Sequence, residues 1–83
     1  MDYSGLTGKV ITPEDKEYDV LRRDYNLDKN KFPLALVYCY SQRDAANAIK
    51  WCKKNKVQLR ILTGGHHYEG YSTANGVLVI ELQ

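Results

Sequence analysis

Apolar residues change their spacing along the chain, and each change marks an element. Met1 to Ile11 reads as a polar, glycine-containing lead-in. Thr12-Pro13-Glu14-Asp15 predicts a helix start. Thr12 offers a capping hydroxyl, and Pro13 suits the first helical position, where its missing N–H is not needed. Glu14, Asp15 and Glu17 add negative charge at the positive end of the helix dipole. Tyr18, Leu21 and Tyr25 then recur at helical spacing and predict a core-facing stripe. Asn26 to Lys31 is polar and reads as a loop.

After Pro33, the run Leu34-Ala35-Leu36-Val37-Tyr38-Cys39 predicts a strand buried on both faces. Ser41 starts a second helix, with Ala45, Ala48, Ile49 and Cys52 as its apolar stripe. Lys50, Lys53, Lys54 and Lys56 gather at its end, where they suit a solvated face that complements the helix dipole. Val57 to Leu62 predicts the next strand, Thr63 to Gly76 a Gly/Ser/Tyr-rich loop, and Val77 to Ile80 a final strand. A strand–helix–strand order implies a right-handed crossover, with the first two strands paired in parallel. The expected class is α/β: a small strand–helix–strand unit with two helices packed on a three- to four-stranded, mainly parallel sheet.

Length bounds what such a fold can do. With 83 residues the chain is one small domain or part of a larger one. A chain of this size buries roughly 60–65% of its unfolded surface, which leaves little room for a cofactor site walled on all sides. The net charge of +2 is too small to argue for nucleic acid. Tyr38, Tyr40, Tyr68 and Tyr71 lack the basic interleaving of a base-stacking surface and suit core and loop packing. The N-terminus opens on no apolar run, so no signal peptide is expected. Nothing approaches the ~20 apolar residues of a membrane helix, and the cytosol is the expected compartment. Cys39 and Cys52 match no zinc spacing and read as reduced, partly buried thiols.

The chemistry-bearing segment is Thr63-Gly64-Gly65-His66-His67-Tyr68-Glu69-Gly70. Two adjacent glycines after a strand let backbone N–H groups converge with no side chain in the way. Such a nest suits a phosphate or pyrophosphate. The C-terminal edge of parallel strands is also where ligands sit in open α/β sheets. A plain tight turn has the same look, so the glycines alone leave both readings open. His66 and His67, as adjacent residues with no Cys or Asp pair to complete a set, do not read as a metal site.

The whole string resembles the pyrophosphate loop of vanillyl-alcohol-oxidase-type (PCMH-type) flavoproteins, and most closely the berberine-bridge-enzyme-like branch, which reads Arg-Ser-Gly-Gly-His, two variable positions, then Glu-Gly. Val10-Ile11-Thr12-Pro13 with Tyr18, the strand from Pro33, the helix from Ser41 and Gly76-Val77-Leu78-Val79-Ile80 fall in the family's order. The resemblance implies FAD as cofactor. His66 would be the covalent attachment to the flavin 8α-methyl, and Thr63, Gly64, Gly65, His67 and Gly70 would cradle the pyrophosphate. A neutral imidazole is a competent nucleophile near pH 7.

Residues 1–83 then correspond to the first FAD-binding subdomain of a truncated FAD-linked oxidoreductase, with no catalytic residue of its own. Its partners would be FAD or the missing remainder of the flavoprotein. Leu62 departs from the branch's arginine, Thr63 from its serine, Glu81 from its aspartate and Gln83 from its serine or threonine; Leu62 sets an apolar side chain beside the cradle. An alternative from another class is a truncated or engineered mini-domain that keeps the fold, self-associates and binds no cofactor. A third is a small module for another phosphate-bearing ligand. Val77 to Leu82, as an apolar strand at or near a sheet edge, predicts pairing with a second copy, and thus a two-fold homodimer.

Overall fold

A computed structural model describes residues 2–24, 32–63 and 76–82. Its elements are β1 (Lys9–Ile11), α1 (Tyr18–Asp24), β2 (Ala35–Cys39), α2 (Gln42–Asn55), β3 (Leu59–Thr63) and β4 (Leu78–Leu82). The strands form one mixed sheet in the order β1-β2-β4-β3. β4 pairs in parallel with both β2 and β3, and β1 pairs antiparallel with β2.

The sheet is buried on both faces, and the alternation of side chains along each strand divides the core in two. Ala35, Val37 and Cys39 of β2 join Leu78 and Ile80 of β4 under Ala48, Trp51 and Cys52 of α2. On the opposite face Leu36, Leu62, Val77 and Val79 pack with Ile11 and with Tyr18 of α1. Two helices thus cover opposite faces, which is the α/β architecture the periodicity predicts. Arg22 of α1 is also buried. It pairs with Asp19 at 2.6 Å, and its guanidinium lies 4.1 Å from the centre of the Phe32 ring.

Four local expectations are corrected. First, Lys9–Ile11 is a strand and not a lead-in: it pairs Lys9 with Tyr38 and Ile11 with Leu36. Second, α1 begins at Tyr18 and not at Pro13. The signals at Thr12 are spent on a tight turn, in which the Asp15 N–H donates to the Thr12 carbonyl at 2.9 Å and the Asp15 carboxylate accepts the Thr12 N–H at 2.7 Å. The local hydrogen bonds that favour a cap favour a turn equally well. Third, β2 and β3 are not neighbours, because β4 lies between them. Fourth, β4 is therefore an inner strand. From Leu78 to Glu81 every residue is buried, as suits a strand with neighbours on both sides. The edge on which pairing with a second copy rested does not exist at β4; the outer strands of the described sheet are β1 and β3.

The helix from Ser41 is as expected, with one addition. The Ser41 hydroxyl accepts the Asp44 N–H as N-cap, and Lys56 closes α2 in the left-handed region at φ 57°. Trp51, absent from the predicted stripe, is its largest buried side chain. Lys50, Lys53, Lys54 and Lys56 are exposed, as the solvated-face reading has it. Tyr25 lies outside the described residues.

Residues 2–8 form a strap across α2. The Tyr3 ring stacks on Trp51 with centroids 5.7 Å apart, and the Trp51 indole N–H donates to the Asp2 carbonyl at 3.0 Å. Gly8 lets the strap turn into β1: its φ is +91°, and a Cβ there would sit 2.3 Å from the Tyr38 carbonyl oxygen.

Candidate functional site

The three parallel strands end side by side. Cys39 is in register with Leu82, and Leu82 with Thr63, so β2, β4 and β3 share one C-terminal edge. The expected ligand side of the sheet is therefore built from strand ends that sequence reasoning had placed in separate elements. At the β2–β4 part of this edge lies a depression of about 260 Å³. Cys39, Tyr40, Ser41, Gln42, Ala45 and Leu82 line it. Its lining mixes a hydroxyl, an amide and a phenol with the apolar Ala45 and Leu82, a mixture suited to a ligand with both ring and polar parts.

The N-terminus of α2 opens on the same edge, yet its own chain fills it. Ser41 caps it, and the Asp44 carboxylate accepts the Tyr40 N–H at 3.0 Å through Oδ2. The other oxygen, Oδ1, accepts the Thr7 hydroxyl at 2.6 Å. The Asn47 amide donates in turn to the Thr7 oxygen at 3.1 Å. These bonds, the Thr7 hydroxyl first and the Tyr40 N–H next, hold the Asp44 carboxyl below the usual carboxylate range. Asp44 is thus charged at neutral pH and already uses the positive end of the dipole. A phosphate placed there would meet a carboxylate.

Thr63 is the last residue of β3, and its backbone closes the pairing opposite Leu82. Thr63 thus lies at the C-terminal edge of the parallel strands. Gly64, Gly65, His66, His67 and Gly70 lie outside the described residues, as do Tyr68 and Tyr71. Leu62 is fully buried in the α1-side core with Leu36 and Val79. Glu81, in register with Tyr38 and Leu62, is buried on that same face. The leucine at position 62 is thus a core residue in this fold.

Cys39 and Cys52 are both buried and free. Burial pushes both thiols up, and at Cys39 the negative charge of Asp44 adds to the effect. They are poor nucleophiles at neutral pH. Among the described residues no His, Cys, Asp or Glu cluster could hold a metal ion, and no helix is long and apolar enough to cross a membrane. Sequence reasoning missed Thr7 and Asp44 as shapers of the edge. Asp44 three residues after Ser41 is a capping-box spacing that could have pointed to it; nothing local points to Thr7, whose partner is 37 residues away.

Comparison with known proteins gives a consistent answer. A family model described as the FAD binding domain matches residues 33–83. An uncharacterized FAD-linked oxidoreductase of Bacillus subtilis, YgaK, is 40% identical over 82 residues, which is 99% of this chain and 18% of that protein. Among solved structures, 6-hydroxy-D-nicotine oxidase from Arthrobacter nicotinovorans superposes with a TM-score of 0.79 at 27% identity, over 93% of this chain and 17% of the oxidase. The berberine-bridge-enzyme-like protein 1 of Physcomitrella patens superposes at 0.77 with 33% identity, over 89% of this chain and 16% of its own. The chain spans less than a fifth of the length of each of these relatives.

Proposed function

Because the chain belongs to the FAD binding domain family, we propose that it is the first FAD-binding subdomain of an FAD-linked oxidoreductase, contributes the pyrophosphate cradle, and carries out no redox chemistry alone. The observation that supports this most is the position of Thr63. It closes β3 on the edge shared with Leu82 and Cys39, and the sequence Gly64-Gly65-His66 follows at once. In this reading the backbone and hydroxyl groups of Thr63, Gly64, Gly65, His67 and Gly70 bind the pyrophosphate, and His66 is the flavin attachment point. The depression lined by Gln42 and Leu82 lies on the same edge. FAD supplies the hydride acceptor when bound; this chain binds and orients it.

A cradle without its walls binds weakly. If one loop contributes on the order of 3–5 kcal/mol net, the dissociation constant for free FAD falls near millimolar. A nuclear magnetic resonance titration then shifts the amide signals of Thr63, Gly64 and Gly65 at about millimolar FAD. No shift at about ten millimolar overturns the cradle. Micromolar affinity by calorimetry, or a flavin adduct on His66 in the isolated chain, overturns the need for the missing walls.

Turnover is a separate matter. An oxidase needs a closed flavin pocket and a base that the described residues do not offer. Hydrogen peroxide formation with added FAD and a panel of sugars and alcohols stays at background; a rate above it contradicts this part of the reading.

The alternative of a cofactor-free mini-domain draws on the two closed cores, which let the unit stand as a folded body. A blank titration would leave that reading in place. The partners proposed are FAD and the rest of a flavoprotein. A homodimer formed through β4 has lost its basis. The two free, buried cysteines suit a reducing compartment, hence the cytosol.

A further inference from the structure

We propose that Thr7 and Asp44 form a latch through which the N-terminal strap sets the position of residues 40–42, the wall of the C-terminal edge. The argument starts from one carboxylate with two clients. Asp44 Oδ2 accepts the Tyr40 N–H, which belongs to the wall. Asp44 Oδ1 accepts the Thr7 hydroxyl, which belongs to the strap. Asn47 donates to the Thr7 oxygen from one turn further along α2 and so fixes the direction of the hydroxyl proton toward Asp44. A carboxylate tethered from one side has fewer orientations to lose when it binds from the other.

The strap itself is held at both ends of this contact. Upstream, Tyr3 stacks on Trp51 and the Asp2 carbonyl accepts the indole N–H. Downstream, Gly8 passes so close to the Tyr38 carbonyl that a side chain has no room there. Thr7 sits between two fixed points, and a shift of the strap moves its hydroxyl relative to Asp44. Position 40 follows Tyr38 and Cys39 on β2, so the strap, the wall and the last residues of β2 form one connected unit. Asp44 and Thr7 are positioning residues in this account: neither lines the depression, and both act through Tyr40.

The inference rests on the FAD-binding reading only for its use. Its test reads the protein without FAD, so failure of one does not decide the other. Cys39 lines the depression and Cys52 lies in α2, and both are 2% exposed. Loosening the wall uncovers Cys39 alone, whereas global unfolding uncovers both, so the ratio of their alkylation rates under native conditions isolates the wall. Peptide mapping by mass spectrometry gives both rates at once.

Thr7→Val is the deciding variant, since it keeps shape and leaves the Asp44 charge in place. Asp44→Ala would also lower the Cys39 thiol and confuse the rate. Thr7 is exposed, so the fold tolerates the change. The expected result is a Cys39-to-Cys52 ratio raised about three- to tenfold in Thr7→Val, the factor given by losing one such hydrogen bond. Faster amide exchange at Tyr40 accompanies it, and Thr7→Ser restores wild-type behaviour in both readouts. An unchanged ratio with unchanged Tyr40 exchange in Thr7→Val overturns the latch. So does a Thr7→Ser variant that behaves like Thr7→Val, because the hydroxyl is then not what couples strap to wall.

Discussion

Val79→Lys leaves the chain with no cooperative unfolding transition. Val79 is fully buried on the α1 face of β4, in register with Leu36 on one side and Arg60 on the other. Both neighbouring strands hold its backbone, so the strand cannot swing out to place an ammonium group in water. Burying an unpaired charge costs several kcal/mol even after the group loses its proton. A chain of this length holds in total about 4–12 kcal/mol against unfolding. The cost takes up most or all of that margin. Far-UV circular dichroism against urea reads the outcome: no sigmoidal transition, or a midpoint near zero denaturant. If β4 were an edge strand, it could peel from one neighbour and carry the same lysine into water, so most of the stability would hold and self-association through that strand would fall. A folded, monomeric Val79→Lys protein would therefore overturn the inner position of β4.

The contrast shows what the local pattern can and cannot carry. Leu78, Val79 and Ile80 of β4 are visible as a run of apolar letters, as suits a strand covered on both faces, while the burial of the charged Glu81 beside them is not. Which strands lie beside it is not visible, since neighbours are chosen by long-range packing. The crossover rule names a parallel partner for β2 and is silent on a strand inserted between the two. β1 escaped notice for a related reason. It has three residues, of which Ile11 alone is buried, and its hydrogen bonds come from β2, far along the chain. At Thr12 the letters carry a hydrogen-bonding signal that a helix cap and a tight turn share, because both begin with the same bonds, and the structure takes the turn.

The site divides along the same line. Local sequence places the Gly64-Gly65 pair after a strand, and the fold puts the end of that strand on the C-terminal edge shared by the three parallel strands. The resemblance to flavoproteins, read from that string, agrees with the family to which the chain belongs. The strap was not legible. Asp2, Tyr3, Thr7 and Gly8 look like a polar leader, and each acquires its role from a residue thirty or more positions away. Leu62 is the instructive case. Its place in the string sets it next to Thr63, and the alternation of β3 turns its side chain into the core.

Trp51→Ala costs about 3–5 kcal/mol, the range for removing a buried Trp side chain. Trp51 is 4% exposed, and it joins two bodies that sequence reading kept apart. One side of the indole packs in the α2 core with Ala48 and Cys52. The other side carries the Tyr3 ring, nearly parallel at 17°, while the N–H holds the Asp2 carbonyl. Removing it opens a cavity under α2 and deprives the strap of both upstream contacts in one step. Trp51→Phe separates these contributions. A phenyl ring keeps most of the core contact and a stacking surface for Tyr3, and it loses the N–H bond, whose net worth is about 1 kcal/mol. Asp2 is exposed, so water takes the place of the indole at its carbonyl. The chain has a single tryptophan, which removes fluorescence as a probe in both variants. Urea unfolding followed by far-UV circular dichroism gives the comparison. Trp51→Ala should sit at the limit of the folded state, and Trp51→Phe should lose only a fraction as much. Amide exchange supplies the second reading: residues 2–8 lose protection together in Trp51→Ala and retain most of it in Trp51→Phe. If Trp51→Ala cost less than about 1.5 kcal/mol, the indole would be lying on the helix as a surface residue. The strap would then have to be held by Gly8 and Thr7 alone.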